Sequence, residues 1–229
     1  MTNAPATKQR EKTSVLIGDL IQKNRKALLA SVIVVLVAFA AVAAGVTIAE
    51  TMNEKAIVKA EGFAEEYDTV RAEADEAKKA SASADLVASL AAFSSSARGY
   101  AKARSYAILA TVHADLKAWK EAEAAWLASA DALPKSYLAP VGIYNAAACA
   151  EESGDTEKAL SLYQRCADEY GDDFALAGRA MFAVGRINEQ SGNAAAALAA
   201  YQKILDTWPN DENWTKLANS RIIFLSSRS

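Results

Sequence analysis

Hydrophobic side chains run in three distinct rhythms along this chain. From Ala27 to Ala49 the sequence ALLASVIVVLVAFAAVAAGVTIA holds no charge, and only Ser31, Gly45 and Thr47 interrupt the aliphatic residues and Phe39. An unbroken run of this length predicts a helix that spans the hydrocarbon layer, since roughly 20 residues at about 1.5 Å each match a core about 30 Å thick. From 54 to 79 the apolar positions are Ile57, Ala60, Ala64, Tyr67, Val70, Ala74 and Ala77, at three- and four-residue steps. That spacing is one face of a long amphipathic helix, a stalk that continues from the span. The polar stretch from Lys79 to Asp85 is expected to break it, and 85–98 to return along it as a second helix. At the far end Asp211 to Ser227 predicts a closing helix with Trp214, Leu217, Ile222 and Leu225 on its inner side.

Between these flanks the pattern repeats. An alanine is followed four residues later by an aromatic residue at Ala122 and Trp126, Ala159 and Tyr163, and Ala197 and Tyr201. Counted from Gly178, positions 4, 7, 8, 15, 20, 24, 27 and 32 hold Met181, Val184, Gly185, Gly192, Ala197, Tyr201, Ile204 and Pro209. Counted from Pro140 they hold Ile143, Ala146, Ala147, Gly154, Ala159, Tyr163, Cys166 and Gly171. Counted from Ala103 they hold Tyr106, Leu109, Ala110, Lys117, Ala122, Trp126, Ser129 and Pro134. Small residues at 8 and 20 let two antiparallel helices approach, large ones at 4, 7 and 24 fill the gap to the next pair, and Gly or Pro ends each helix. Pro134, Pro140 and Pro209 are read as boundaries between helices.

These residues resemble the tetratricopeptide repeat, in three copies over roughly 103–209. The fold class is therefore all-α: an N-terminal single transmembrane helix, then an α-solenoid of about three tetratricopeptide-type helix pairs with flanking capping helices. The expected divisions are a basic tail (1–26), the span (27–49), a stalk and N-terminal capping pair (50–102), the repeats (103–210) and a C-terminal capping helix (211–229).

Charge sets the expected topology. The tail carries Lys8, Arg10, Lys12, Lys23, Arg25 and Lys26 against Glu11 and Asp19, whereas 49–68 hold only Lys55 and Lys59 as bases. The positive flank stays cytoplasmic and the C-terminal part is exported. Removing the tail's six bases and two acids from the 25 and 28 of the whole chain leaves a net charge of about −7 beyond the membrane, which argues against nucleic acid as a partner. A cleaved signal peptide, cut near Ala41-Val42-Ala43, is the competing reading, but the run is long for an h-region and no polar c-region precedes that site. Val15, Leu16, Ile17, Leu20 and Ile21, followed by bases, suggest a short amphipathic helix at the inner surface.

Chemistry is scarce. No phosphate-binding glycine loop, HExxH or GxSxG pattern occurs, and the sole histidine, His113, falls at a position that packs against a neighbouring helix. Cys149 and Cys166 sit at positions 10 and 27 of one repeat, offset by roughly 9 Å along the hairpin axis, too far for a disulfide. They are expected to be buried free thiols. No enzyme activity, cofactor or small-molecule substrate is expected.

The tetratricopeptide resemblance implies a concave groove lined by positions 2, 5, 9, 12 and 13 of each first helix. Here these include Arg104, Thr111, Asp115, Tyr144, Glu151, Glu152, Arg179, Phe182, Arg186 and Glu189. Tyr144, Phe182, Arg179 and Arg186 are the expected anchors, because aromatic and arginine side chains dominate binding energy. The lysine and asparagine clamp that some such domains use on a terminal carboxylate is missing. The order of parts, with the junction Leu20-Ile21-Gln22-Lys23-Asn24-Arg25-Lys26 leading into the span, resembles the YfgM-like membrane-anchored repeat proteins, ancillary subunits of the bacterial Sec translocon. That resemblance implies an inner-membrane protein whose periplasmic repeats engage the translocon, exported chains and periplasmic chaperones. The alternative is a scaffold subunit of an envelope machine, such as a flagellar motor collar or a secretion apparatus.

Overall fold

A computed structural model describes residues 22–171 and 174–227. The basic residues before Lys23, the Val15 to Ile21 segment and the connection at 172–173 lie outside the described residues. Among those described, all regular structure is helical: α1 (Arg25–Ala72), α2 (Glu76–Ser96), α3 (Gly99–Asp115), α4 (Trp119–Ala132), α5 (Leu138–Glu152), α6 (Thr156–Tyr170), α7 (Ala177–Gln190), α8 (Ala194–Thr207) and α9 (Glu212–Ser226).

The chain divides into two units at Glu54 and Lys55. In the first, α1 presents an apolar stretch long enough to cross a membrane, with Leu29, Val32, Val34, Leu36, Phe39, Val42 and Ile48 all exposed. Apolar side chains on every side of a helix, with no protein packed on them, are suited to lipid. Ser31 and Thr47 return their hydroxyls to the carbonyls of Ala27 and Ala43, at 2.9 and 3.0 Å, which removes the polar cost of those two positions.

In the second unit, the end of α1 and helices α2 to α8 form four successive helix pairs, and α9 stands alone. The break after α1 falls at 73–75 and not in the expected Lys79 to Asp85 stretch. Asp75 decides it: its carboxylate accepts from the backbone N–H groups of Ala77 and Lys78 at 3.0 and 3.1 Å, so it starts a new helix that carries 79–85 in its body. Pro140 is likewise no boundary. It occupies the first turn of α5, where an absent N–H costs no intrahelical bond.

Positions 8 and 20 close as the spacing predicts. Ala110, Ala147, Ala122, Ala159 and Ala197 are fully buried, and a Cβ on Gly185 would lie 2.4 Å from the Tyr201 ring. The helix turns share position 15 in a left-handed conformation: Gly154 (φ +83°), Gly192 (φ +79°) and Lys117 (φ 57°). Glycine adopts it freely, whereas Lys117 pays for its Cβ. One core gathers Phe63, Leu86, Leu90, Ile108, Leu109 and Val112 from α1 to α3. The other runs from Ile143 through Tyr163, Met181 and Tyr201 to Ala218, and Trp126 packs against both.

Cys149 and Cys166 are buried free thiols. Burial pushes their pKa values up, to about 11 and about 12, so both are neutral at physiological pH. The Cys166 thiol points at the Pro140 carbonyl at 3.5 Å, and Ser129, at the same repeat position, donates to the Ala103 carbonyl at 2.7 Å. Position 27 thus ties the second helix of a pair to the start of its first. His113 is half-buried, and burial lowers its pKa.

Candidate protein-binding groove

The expected groove residues lie on the first helices of three pairs, α3, α5 and α7. Four of them, Tyr144, Glu151, Arg179 and Arg186, are engaged with one another, and Arg104, Asp115, Phe182 and Glu189 meet other residues. Glu151, at position 12 of its repeat, receives both arms of the Arg186 guanidinium, at position 9 of the next: Nη1 to Oε1 at 2.7 Å and Nη2 to Oε2 at 2.8 Å. The Tyr163 hydroxyl approaches the same carboxylate at 3.5 Å. One repeat on, Glu189 receives Arg221 of α9 through Nε at 3.1 Å and through a second arm from Nη2. The Tyr201 hydroxyl donates to it at 3.1 Å. The device is therefore periodic: a carboxylate at 12, a tyrosine beneath it at 24, and a guanidinium arriving from the following repeat at 9. Burial and the bond to Glu189 push the Tyr201 pKa up to about 12, and burial raises that of Tyr163. The hydrogen bonds to Glu151 raise the Arg186 pKa, so the guanidinium keeps its charge.

A second device lies at positions 2 and 5. The Arg179 guanidinium sits 5.5 Å from the Tyr144 ring centroid, and Trp214 of α9 sits 5.3 Å from Phe182 at an interplanar angle of 47°. Tyr144 also meets Tyr163 edge-on at 5.4 Å, and Phe182 meets Tyr201 at 5.2 Å. A third runs along the far ends of the second helices, where the Tyr170 hydroxyl donates to the Pro134 carbonyl at 3.0 Å and the Trp208 Nε1–H to that of Gly171 at 2.9 Å.

At the first pair the arrangement is related but different. Glu61 of α1 receives Nε and Nη2 of Arg104 at 3.2 Å, with the Tyr100 hydroxyl at 3.0 Å. Burial acts to raise the Glu61 carboxyl, but those hydrogen bonds outweigh it and hold the pKa below the usual 4.5. Asp115 accepts from the Tyr67 hydroxyl at 2.6 Å. Thr111 turns its hydroxyl to its own helix, at the Ala107 carbonyl, 2.9 Å away. Glu152 is exposed, with no hydrogen-bond or ion-pair partner among the described residues.

Of the expected residues, Arg104, Glu151, Arg186 and Glu189 are thus committed to ion pairs with neighbouring helices. Glu61, Tyr163, Tyr201, Trp214 and Arg221 complete the set and were not expected there. Their signal was in the spacing. Glu151 to Arg186 is 35 residues and Glu189 to Arg221 is 32, each joining position 12 to position 9 of the next unit once α9 is counted as the first helix of a further repeat.

Stacked helix pairs with small residues at 8 and 20, glycine at 15 and an aromatic at 24 define an α-solenoid of tetratricopeptide repeats. Comparison with known proteins agrees: the tetratricopeptide repeat family matches residues 142–173 and 179–211. A TPR repeat-containing protein of Treponema pallidum (strain Nichols) is 35% identical over 128 residues, which cover 56% of this chain and 52% of that protein. The chain spans about half the length of that relative. Repeats of this kind are protein-interaction modules.

Proposed function

We propose that this chain is a non-enzymatic adaptor of the bacterial inner membrane that holds other proteins on the first-helix face of its repeats. The observation that carries the reading is the pairing of an apolar helix able to span a bilayer with a repeat array whose open face displays Tyr144, Phe182 and Arg179. Aromatic and arginine side chains on a rigid helical face are the usual anchors of a protein interface. The charge asymmetry around the span supports a cytoplasmic tail and a periplasmic array, with the divisions at 26, 49, 102 and 210. The resemblance to YfgM-like subunits supports the Sec translocon, exported chains and periplasmic chaperones as partners. Anchoring raises the effective concentration of the face near a membrane machine, so weak contacts suffice there. Among the described residues no group of His, Cys, Asp or Glu is placed to hold a metal.

A second reading, a scaffold subunit of an envelope machine, is favoured by the struts themselves. A face that spends Glu151, Arg186, Glu189 and Arg221 on joining repeats is stiffened for service as a fixed joint. Site-specific photocrosslinking in vivo from Tyr144 and Phe182 separates the two. Recovery of channel components together with varied exported chains supports the adaptor. Recovery of one constant set of motor or secretion subunits supports the scaffold, and no crosslink from either position removes both.

A further inference from the structure

A cavity of about 420 Å³ lies where the end of α1 and the start of α2 meet the end of α3. Val70, Val112 and Leu116 give it apolar walls, and Arg71, Glu76, Lys79 and Asp115 line it with two charges of each sign. None of the four is in an ion pair among the described residues. Glu76 and Lys79 stay apart although their spacing on one helix favours pairing. Asp115 accepts only from the neutral Tyr67 hydroxyl among the described residues, on Oδ2 at 2.6 Å, which leaves Oδ1 open. Burial pushes the Tyr67 phenol up to about 12 and the bond to Asp115 acts the same way, so Tyr67 stays a donor and fixes that carboxylate in place.

Ser83, on the α2 wall of the cavity, is 6% exposed, and its hydroxyl has no hydrogen bond among the described residues. The other buried polar side chains are satisfied: Ser94, Ser105 and Asn188 by carbonyls of their own helices, Ser129 by the Ala103 carbonyl and Glu123 by Lys158. No buried polar atom among the described residues is sealed off without a partner, so the Ser83 hydroxyl opens on the cavity. A helical serine has a carbonyl within reach one turn back, and a buried one that leaves it unused is available to a ligand. Charge then selects the ligand. A lone anion would meet Glu76 and Asp115, and a lone cation would meet Arg71 and Lys79, so neither suits a chamber that holds both signs unpaired. We propose that this cavity is a binding site for a small zwitterion, an α-amino acid with an apolar side chain. Its carboxylate meets Lys79, Arg71 and the Ser83 hydroxyl, its ammonium meets Asp115 at the negative end of α3, and its side chain lies against Val70, Val112 and Leu116. The volume, at the low end of the roughly 300–1,000 Å³ of small-molecule sites, suits a single amino acid and not a nucleotide. The site does not depend on the first-helix groove, and its failure leaves the adaptor reading untouched.

Isothermal titration of the full chain in detergent micelles at neutral pH would test this with L-leucine, L-phenylalanine and L-glutamate. Isocaproate and isoamylamine serve as forms of leucine that lack the ammonium and the carboxylate. Leucine or phenylalanine should bind with a Kd below about 1 mM, and glutamate, isocaproate and isoamylamine about tenfold more weakly or worse. Lys79→Met should weaken the binding about tenfold with little change in unfolding temperature, since Lys79 has no ion-pair partner among the described residues to lose. Asp115→Asn, which keeps an acceptor for the Tyr67 hydroxyl, should do the same. Ala80→Trp, at an exposed position of α2 that lines the cavity, should fill it and abolish binding. Should the tryptophan prevent folding, Ala80→Leu takes its place. No heat from either apolar amino acid up to about 10 mM overturns the proposal. So does isocaproate binding as tightly as leucine, or binding unchanged in Lys79→Met or in the filled cavity.

Discussion

The cost of single side chains in this array is set by how closely helices approach. Gly185 has the Tyr201 ring where a Cβ would go, and the ring is itself fixed by its bond to Glu189. Gly185→Ala must therefore displace the ring or the helix, a loss of about 1–3 kcal/mol that calorimetry would register as a lower unfolding temperature. Lys117 is the opposite case. It holds the left-handed conformation that Gly154 and Gly192 hold in the later repeats, at a cost on the order of 1 kcal/mol for a residue with a Cβ. Lys117→Gly should relieve that strain, although glycine's freedom in the unfolded chain takes back part of the gain, so the unfolding temperature rises by a degree or two or stays level. A marked fall would show that the lysine has a use the backbone does not reveal. Cys149 and Cys166, with pKa values raised by burial, should resist alkylation in the folded chain at pH 8 and react fully in denaturant without reductant.

At the scale of helices, the joints matter more than the propensities. Glu151 and Arg186 are about a third exposed, so solvent screens them and their double-mutant coupling should be about 0.5–1 kcal/mol in spite of the bidentate geometry. A coupling near zero would mean that packing of Tyr144, Tyr163 and Phe182 alone sets the spacing between repeats. The helix pairs themselves were legible in the sequence because their determinants are local: a small residue against a small residue, a glycine in a turn, an aromatic four residues after an alanine. The α1–α2 break was not, because a capping aspartate at 75 outranks a polar run, and a polar run is compatible with an exposed helix face. The struts were also missed, since a contact between repeats spends the very residues that an isolated repeat offers to a partner. Reading α9 as a lone cap concealed that Arg221 and Trp214 take the places of Arg186 and Arg179 one unit later.

For the whole array, two bound carboxylates, Glu61 and Asp168, make stability depend on acid. The folded Glu61 carboxyl is held below its ordinary value of 4.5 by Arg104 and Tyr100. Asp168, bound by Lys203 at 2.6 Å, is held below 3.8. In both cases burial pushes the other way and is outweighed. A carboxyl whose folded pKa is depressed contributes stability above its unfolded value and loses it as the pH falls through the folded one. Stability should therefore be level from neutrality down to about pH 5 and fall progressively below about pH 4.5, as Glu61 and Asp168 pick up protons and lose their bonds to Arg104 and Lys203. Circular dichroism at 222 nm during a urea titration at each pH would follow this. Because the pairs are partly exposed, 1 M salt at pH 7 should weaken the same joints modestly, whereas the apolar core is insensitive to screening. Glu61→Gln and Asp168→Asn together should flatten the acid limb without altering the plateau's slope. An acid limb unchanged in that double variant would show that neither Glu61 nor Asp168 carries the acid sensitivity of the array.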